Sequence, residues 1–302
     1  MKVSLFLDTF TPKNGPEDVK AVAAAAESAG IHGVWVSEHA VLFENYESPY
    51  PFTPDKKWKV EVGAGLPDPF VLLSMLSGVT ERLKLGTAIV ILPERNPVQT
   101  AKLASDLDFI SGGRMRLGVG LGWSKEEYDA LQVPWERRGE RADEYLTVMR
   151  GLWEKPVAGF TGEFYEHPEA FLYPKSIQKP HVPIYICTGG QKMSAKQLTR
   201  TATHASGWIG LEVTPDEVAA QVRDLGKALA ERGRELADLE IIVGPPASLI
   251  ASTSEAELSV LQPYVDAGVT ELVLVMGAET TAASIEQIRT FGASVVKWAA
   301  SK

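Results

Sequence analysis

Two patterns of hydrophobic and polar positions alternate along the chain. Short apolar runs rich in Val, Ile and Leu recur between longer amphipathic segments, which is typical of parallel strands joined by crossover helices. We predict strands at residues 3–8, 33–37, 83–92, 115–119, 182–187, 207–210, 239–243 and 271–275. We predict helices at residues 16–29, 69–80, 97–110, 134–154, 192–204, 215–232, 254–267 and 280–298.

These strand and helix pairs indicate one closed barrel. No Pro-, Gly- or Ser-rich linker divides the chain, so we expect residues 1–302 to form a single domain. Eight units in one domain favour a (β/α)8 TIM barrel of the α/β class over an open doubly wound sheet, which is the alternative. Insertions are predicted at residues 40–67, after the second strand, and at residues 157–178, after the fourth helix. In such a barrel the loops after the strands carry the chemistry.

Composition and charge limit the kind of partner. The chain is 45% hydrophobic and has a formal net charge of -9 at pH 7. Because nucleic acids and anionic membranes call for clustered Lys and Arg, these values indicate a small-molecule substrate instead. Cys187 is the single cysteine, and the absence of CxxC and HExxH motifs predicts no metal site. Without a signal peptide or an apolar run of about 20 residues, we expect a cytoplasmic protein with no membrane segment.

Candidate catalytic side chains follow the second predicted strand. Glu38 and His39 place an acid and an imidazole at the predicted catalytic rim. Histidine exchanges a proton near neutral pH, and a neighbouring carboxylate orients its ring. We expect His39 to donate or accept a proton beside Glu38; a solvated polar strand end is the alternative.

The insertion that follows is rich in aromatic residues. It contains Phe43, Tyr46, Tyr50, Phe52 and Trp58. An aromatic loop beside a barrel mouth is typical of a lid over an apolar or aromatic ligand. Ordinary loop packing, or packing on a partner subunit, are the alternatives.

Glycines end the fourth predicted strand, and small residues occur in the third. Gly118, Gly120 and Gly122 would let a flat ligand or its phosphate approach the backbone, unless they only relieve crowding at the rim. Trp123 stands where a GxGxxG dinucleotide motif needs its third glycine, and we predict no helix directly after it. In the third strand, Gly86 and its small neighbours would let a planar group pack on the backbone.

A second glycine pair follows the fifth predicted strand. Thr188, Gly189 and Gly190 lead directly into a helix predicted to begin near Lys192. Unpaired backbone N–H groups and the helix dipole favour an anion at such a terminus. The residues therefore predict a phosphate site, with a plain turn as the alternative.

The shared order of these motifs resembles the luciferase-like monooxygenase superfamily over nearly the whole chain. The motifs are Ser37-Glu38-His39, Leu85-Gly86-Thr87-Ala88, Leu92-Pro93, Asn96-Pro97, Ser111-Gly112-Gly113-Arg114, Gly118-Val119-Gly120-Leu121-Gly122-Trp123, Gly189-Gly190 and Gly207-Trp208. The acid-His pair, followed by Tyr50-Pro51-Phe52-Thr53-Pro54-Asp55, is most similar to the branch that uses the deazaflavin coenzyme F420.

The resemblance implies a homodimeric enzyme with a cofactor in the barrel mouth. It places His39 beside the deazaflavin ring and the substrate, and a non-prolyl cis peptide between Ala88 and Ile89 behind the ring. It assigns cofactor contacts to Thr87, Ala88, Ile89, Gly120, Gly122, Thr188, Gly189 and Gly190. The last three would bind the phosphate.

The implied reaction is hydride transfer between F420 and an organic substrate. One alternative is an FMN-dependent monooxygenase that uses O2. Others are a non-catalytic flavin-binding barrel, which is expected to lack the Glu38-His39 pair, and a sugar-phosphate isomerase or lyase. Sugar-phosphate dehydrogenases of this branch carry a glutamate where this chain has Trp123, so we expect a flat or apolar substrate rather than glucose 6-phosphate.

Overall fold

Strands and helices alternate along the chain in the predicted order. The structure is a computed structural model that describes residues 1–7, 15–58, 62–189, 192–246, 255–276 and 280–302. Its strands are β1 (Lys2–Phe6), β2 (Gly33–Val36), β3 (Lys84–Thr87), β4 (Val90–Ile91), β5 (Met115–Gly120), β6 (Ala158–Thr161), β7 (Glu166–Ala170), β8 (Ile184–Gly189), β9 (Gly207–Leu211), β10 (Glu240–Gly244) and β11 (Glu271–Val275). Its helices are α1 (Pro16–Ser28), α2 (Pro69–Ser77), α3 (Pro97–Ile110), α4 (Lys125–Ala130), α5 (Arg138–Glu154), α6 (Ala195–His204), α7 (Pro215–Ala230), α8 (Gln262–Asp266), α9 (Thr281–Phe291) and α10 (Lys297–Ala299).

The parallel strands close into a barrel. β1 pairs with both β2 and β11, and β3 pairs with both β2 and β5. The ring continues through β8, β9 and β10, and β4 extends the interrupted third strand beside β5. The predicted TIM barrel is therefore confirmed, and the open sheet is wrong. No helix among the described residues has the length and apolar character needed to cross a bilayer.

Local structure departs from the sequence prediction in several places. A short helix, α4, follows β5 where we predicted none, because the Ser124 side chain accepts a hydrogen bond from the N–H of Glu127 and caps it. Helix α6 begins at Ala195, not near Lys192. The helix predicted over 254–267 is a 3-10 segment, Glu255–Leu261, followed by α8; residue 254 lies outside the described residues. The antiparallel hairpin β6–β7 accounts for the second insertion.

A buried charge cluster closes the amino-terminal end of the barrel. The Arg116 guanidinium lies 2.9 and 2.7 Å from the two carboxylate oxygens of Glu271, and it donates to the Tyr185 hydroxyl at 3.0 Å. It also lies 4.6 Å from the ring centroids of Trp35 and Tyr185. Although burial opposes the shift, Arg116 holds the pKa of Glu240 at about 2. We call these five residues the barrel-floor cluster.

Gly86, in β3, makes room for Trp35 in the barrel-floor cluster. A Cβ atom at Gly86 would lie 2.3 Å from the Trp35 ring, so only glycine leaves room for the indole. At Gly86 the protein's own tryptophan therefore fills the space in which a planar ligand was expected, whereas Ala88 of the same predicted strand lines a cavity.

Candidate functional site

A cavity of about 280 Å³ opens among the carboxyl ends of the barrel strands. Its walls come from residues just after β2, from the break between β3 and β4, and from the ends of β5, β8, β9, β10 and β11. Part of the first insertion covers one side. Lining residues include His39, Trp58, Ala88, Ile89, Trp123 and Cys187. This is the end of a TIM barrel at which enzymes of this fold carry their active sites.

The break in the third strand forms one wall of the cavity. The peptide bond between Ala88 and Ile89 is cis, which confirms the bond that the resemblance implied. Both residues line the cavity. Thr87 does not, because its side chain is buried and donates to the Gly118 carbonyl at 2.7 Å.

The two rim glycines of the fourth predicted strand differ in their surroundings. A Cβ atom at Gly120 would lie 2.8 Å from the Ile89 side chain, so glycine there makes room for the bulged third strand. Gly122 lines the cavity and has a φ of +68°, which favours glycine. Of the two predicted cofactor contacts, Gly122 lines this cavity and Gly120 does not.

His39 is held by a carboxylate that sequence reasoning missed. Its Nδ1 atom lies 2.7 Å from Glu127 Oε2, and the neighbouring backbone N–H of Ala40 donates to Glu127 Oε1 at 2.5 Å. The Glu127 side chain is only 1% exposed. The signal in the sequence was an acidic residue, Glu127, three positions after a helix-capping serine, Ser124. It could be used only if α4 was predicted.

Glu38 lines the cavity, but its carboxylate forms its hydrogen bonds with residues other than His39. Its carboxylate accepts from the backbone N–H of Ile91 at 2.7 Å and from Arg95 Nε at 2.5 Å. Burial raises the pKa of Glu38, and the Arg95 ion pair opposes the shift. The expectation that Glu38 orients His39 is therefore wrong: Glu38 ties the residues after β2 to β4 instead.

A third carboxyl in this region stays protonated at neutral pH. Burial raises the pKa of Glu94 to about 9, and the charges of Glu127 and Glu38 add to this shift. An uncharged acid avoids placing another negative charge beside two carboxylates in a partly buried site.

An aromatic wall, formed by Tyr50, Trp58 and Trp123, stands over His39. The ring centroid of His39 lies 5.1 Å from that of Trp58 and 5.8 Å from that of Trp123. Tyr50 stacks on Trp58 at 5.5 Å with an interplanar angle of 16°. Burial raises the pKa of Tyr50 to about 12, so its hydroxyl stays neutral. The wall makes this side of the cavity apolar.

The loop that supplies Tyr50 and Trp58 is anchored on α4. The Glu126 carboxylate accepts from the backbone N–H groups of Glu47 and Ser48 at 2.7 and 3.0 Å. The N–H of Lys125 donates to the Ser48 hydroxyl at 2.9 Å. Burial opposes the shift, but these hydrogen bonds hold the pKa of Glu126 at about 2. Adjacent carboxylates on one helix therefore bind both His39 and the aromatic loop.

At the predicted phosphate site, the structure lacks the direct step from the glycines into a helix on which the prediction relied. The Thr188 hydroxyl is buried and accepts from the Trp208 indole N–H at 2.7 Å. Gly189 is exposed, beneath Phe52 of the aromatic loop. Gly190 lies outside the described residues. Helix α6 begins at Ala195 and is capped by the Ser194 side chain, so the prediction that the glycines open this helix is wrong.

Cys187 lines the cavity, but its thiol is not activated as a nucleophile. Burial raises the pKa of its thiol to about 12, which leaves the sulfur protonated at neutral pH. Within the described ranges, no group of three or more His, Cys, Asp or Glu side chains could hold a metal ion.

Solved structures with the same fold include an F420 enzyme and a monooxygenase. An F420-dependent secondary alcohol dehydrogenase in complex with an F420-acetone adduct has a TM-score of 0.75 at 17% identity and covers 99% of this chain and 98% of that one. The monooxygenase RslO1 from Streptomyces bottropensis has a TM-score of 0.77 at 19% identity, over 99% of both chains. At these identities the likeness shows the fold alone.

Sequence relatives also fall into both cofactor groups. An uncharacterized protein of Mycobacterium tuberculosis is 34% identical over 215 residues, which are 70% of this chain and 75% of that protein. An F420-dependent glucose-6-phosphate dehydrogenase of Amycolatopsis mediterranei is 30% identical over 236 residues, 75% of this chain and 64% of that enzyme. An FMNH(2)-dependent dimethylsulfone monooxygenase of Pseudomonas putida is 31% identical over 186 residues, 60% of this chain and 48% of that enzyme.

The family model described as luciferase-like monooxygenase matches residues 1–294. The match covers nearly the whole barrel and every strand of the cavity just described. The chain therefore belongs to the luciferase-like monooxygenase family.

Proposed function

We propose that this protein is an F420-dependent oxidoreductase that transfers a hydride between the deazaflavin and an organic substrate, with His39 moving the accompanying proton. The observation that carries the proposal is the position of His39, held by a buried carboxylate in the wall of a cavity that also contains Ala88 and Ile89. An apolar cavity with a few fixed polar groups is typical of a cofactor and substrate site.

The residues present fit a flat cofactor ring. Ala88 offers a small side chain, and the interrupted strand leaves its backbone at the cavity wall. We propose that Ala88, Ile89 and Gly122 hold the ring and the start of its side chain, and that Thr188 with Gly189 and Gly190 lies towards the phosphate. When bound, the deazaflavin supplies two-electron hydride chemistry. The protein supplies orientation and a proton at His39.

F420 is proposed over FMN because of the motif order around Glu38 and His39, together with the F420-dependent relative that aligns with 75% of this chain. FMN is the second candidate, since a monooxygenase relative aligns with 60% of it. The glucose 6-phosphate of the F420-dependent relative is not carried over. Trp123 makes the corresponding wall broad and apolar, which favours a flat or apolar substrate.

A titration with each cofactor tests the proposal. We expect F420 to bind at least tenfold more tightly than FMN, a difference of about 1.4 kcal/mol, measured by quenching of F420 or FMN fluorescence on addition of protein. Tighter FMN binding, with O2 consumption on addition of reduced FMN, would make the protein a monooxygenase instead. Binding of either cofactor without turnover of any carbonyl or alcohol tested would favour a non-catalytic barrel.

We also propose that the protein is a homodimer that packs through α2 and α3. These helices contact each other and leave large apolar side chains exposed, among them Val71 at 68%, Phe109 at 54% and Ile110 at 58%. A second copy of the chain would cover these exposed apolar side chains. We expect light scattering to give the mass of two chains for the wild type and of one chain for Val71→Glu with Ile110→Glu. A monomeric wild type would contradict the proposal.

A further inference from the structure

We propose that Glu127 is a positioning residue that fixes the tautomer of His39, so that Nδ1 always carries a proton and Nε2 is the atom that exchanges a proton with the ligand. The inference rests on the proposed role of His39. It adds a residue from another barrel loop, 88 positions away in sequence, to that role.

Both oxygens of the Glu127 carboxylate have a nitrogen atom within hydrogen-bonding distance. Oε1 accepts from the backbone N–H of Ala40 at 2.5 Å, and Oε2 lies 2.7 Å from His39 Nδ1. A backbone N–H can only donate, and a carboxylate without a proton can only accept. The contact to Nδ1 is therefore a hydrogen bond in which the imidazole donates.

A donor at Nδ1 decides the state of the other ring nitrogen, Nε2. When one imidazole nitrogen is held as a donor, the neutral ring has its lone pair on the other nitrogen. With Nδ1 bound to Glu127, Nε2 of His39 is left as the base, and as the acid once it has taken a proton. Since His39 lines the cavity, this atom serves the ligand.

The Glu127 carboxylate has a rigid support. The Ser124 side chain caps α4, and the Tyr128 hydroxyl donates to the Leu121 carbonyl at 2.6 Å. Tyr128 is fully buried, and its ring packs edge-on against Trp135 at 5.1 Å between centroids. A fixed acceptor holds both the tautomer and the orientation of the ring that it binds.

The substitution Glu127→Gln separates this role from simple packing. The amide has one acceptor and one donor end, whereas Ala40 N–H and His39 Nδ1–H both require acceptors. Because the backbone cannot change its role, the amide oxygen should stay with Ala40, and its NH2 group should donate to Nδ1. We expect the proton of the neutral His39 ring to move to Nε2.

The tautomer can be read directly by NMR. Protein labelled with 15N-histidine contains five imidazoles, and His39→Ala identifies the resonances of interest. At a pH where the ring is neutral, we expect the Nδ1–H form in the wild type and the Nε2–H form in Glu127→Gln. Glu127→Asp, which keeps a carboxylate, should restore the Nδ1–H form at least in part. Asp129→Asn, on the exposed side of the same helix, is the matched control and should match the wild type.

Kinetics give a second measurement, using reduction of 2-cyclohexen-1-one by reduced F420 as the probe reaction. The carbon–carbon double bond takes a hydride from the cofactor and a proton from the protein. We expect Glu127→Gln to lower kcat on the order of 10²-fold, with KM for the enone changed less than about threefold, because ground-state binding does not use the proton.

The outcomes are distinct. An Nε2–H ring in the wild type, or an Nδ1–H ring in Glu127→Gln, would overturn the inference. So would an altered tautomer with unchanged kcat. A wild-type protein that shows the expected tautomer but reduces nothing with F420 would count against the proposed function and leave the positioning of His39 standing. If Glu127→Gln does not fold, the wild type and Glu127→Asp still decide the tautomer.

Discussion

His39→Ala is expected to lower turnover of the probe enone by on the order of 10²-fold to 10⁴-fold, the contribution typical of a general acid or base. The substitution removes the cavity-lining imidazole that, with its Nδ1 held by Glu127, is proposed to exchange a proton at Nε2. The cofactor should still bind, because the ring wall at Ala88 and Ile89 does not depend on the imidazole. Stopped-flow oxidation of reduced F420, with a separate F420 titration, measures both quantities.

His167→Ala is the matched control for this experiment. His167 lies on the β6–β7 hairpin, where its Nδ1 atom contacts the Pro168 carbonyl at 2.8 Å, and it does not line the cavity. The control should retain wild-type turnover. Undiminished turnover in His39→Ala would remove His39 from the mechanism, whereas loss of F420 binding would assign it to the cofactor site instead.

The barrel could be predicted because each strand and helix carries its own local signal. The eighth strand, predicted at 271–275, is found at Glu271–Val275, since the apolar run at 272–275 is typical of a strand buried on both faces. Helix α3 starts at Pro97 after the Asn96 cap, as its sequence indicates. Such signals lie within a few residues of the element they define.

The partner of His39 could not be predicted from local signals. Glu127 lies 88 positions from His39 in sequence, whereas Glu38 is adjacent to His39. Both residues line the cavity, but Glu38 binds Arg95 and the backbone of Ile91, whereas the His39 ring lies against Glu127. Adjacency in sequence therefore suggested Glu38, and not Glu127, as the partner of His39. A contact between two barrel loops does not show in the spacing of residues along the chain.

Alternation of side chains explains the end of the fifth predicted strand. Cys187 lines the cavity, and the next residue, Thr188, turns away and accepts a hydrogen bond from Trp208. The prediction that Thr188 binds a phosphate did not include this hydrogen bond. Its partner, like Glu127, comes from another part of the barrel.

Arg116→Met is expected to lower the free energy of unfolding by about 3–5 kcal/mol, because it leaves the Glu271 carboxylate buried without its cation. Glu271 is completely buried, and the Trp35 indole N–H, at 3.0 Å, is the remaining donor among the contacts described for it. Methionine fills part of the guanidinium volume, so the loss of charge dominates. Urea unfolding followed by tryptophan fluorescence measures the change.

Two further variants test whether the buried, unpaired charge causes the expected destabilisation. Lys2→Met breaks an ion pair to Glu240 in which the side chains are 42% and 32% exposed, so it should change the free energy of unfolding by less than about 1 kcal/mol. Adding Glu271→Gln to Arg116→Met should recover part of the loss, since no uncompensated charge is then buried at that position. An Arg116→Met protein as stable as Lys2→Met would show that the barrel-floor cluster contributes little. Because this cluster lies at the end of the barrel opposite His39, F420 affinity of the folded variant should be unchanged, which separates the end that stabilises the fold from the end that carries the chemistry.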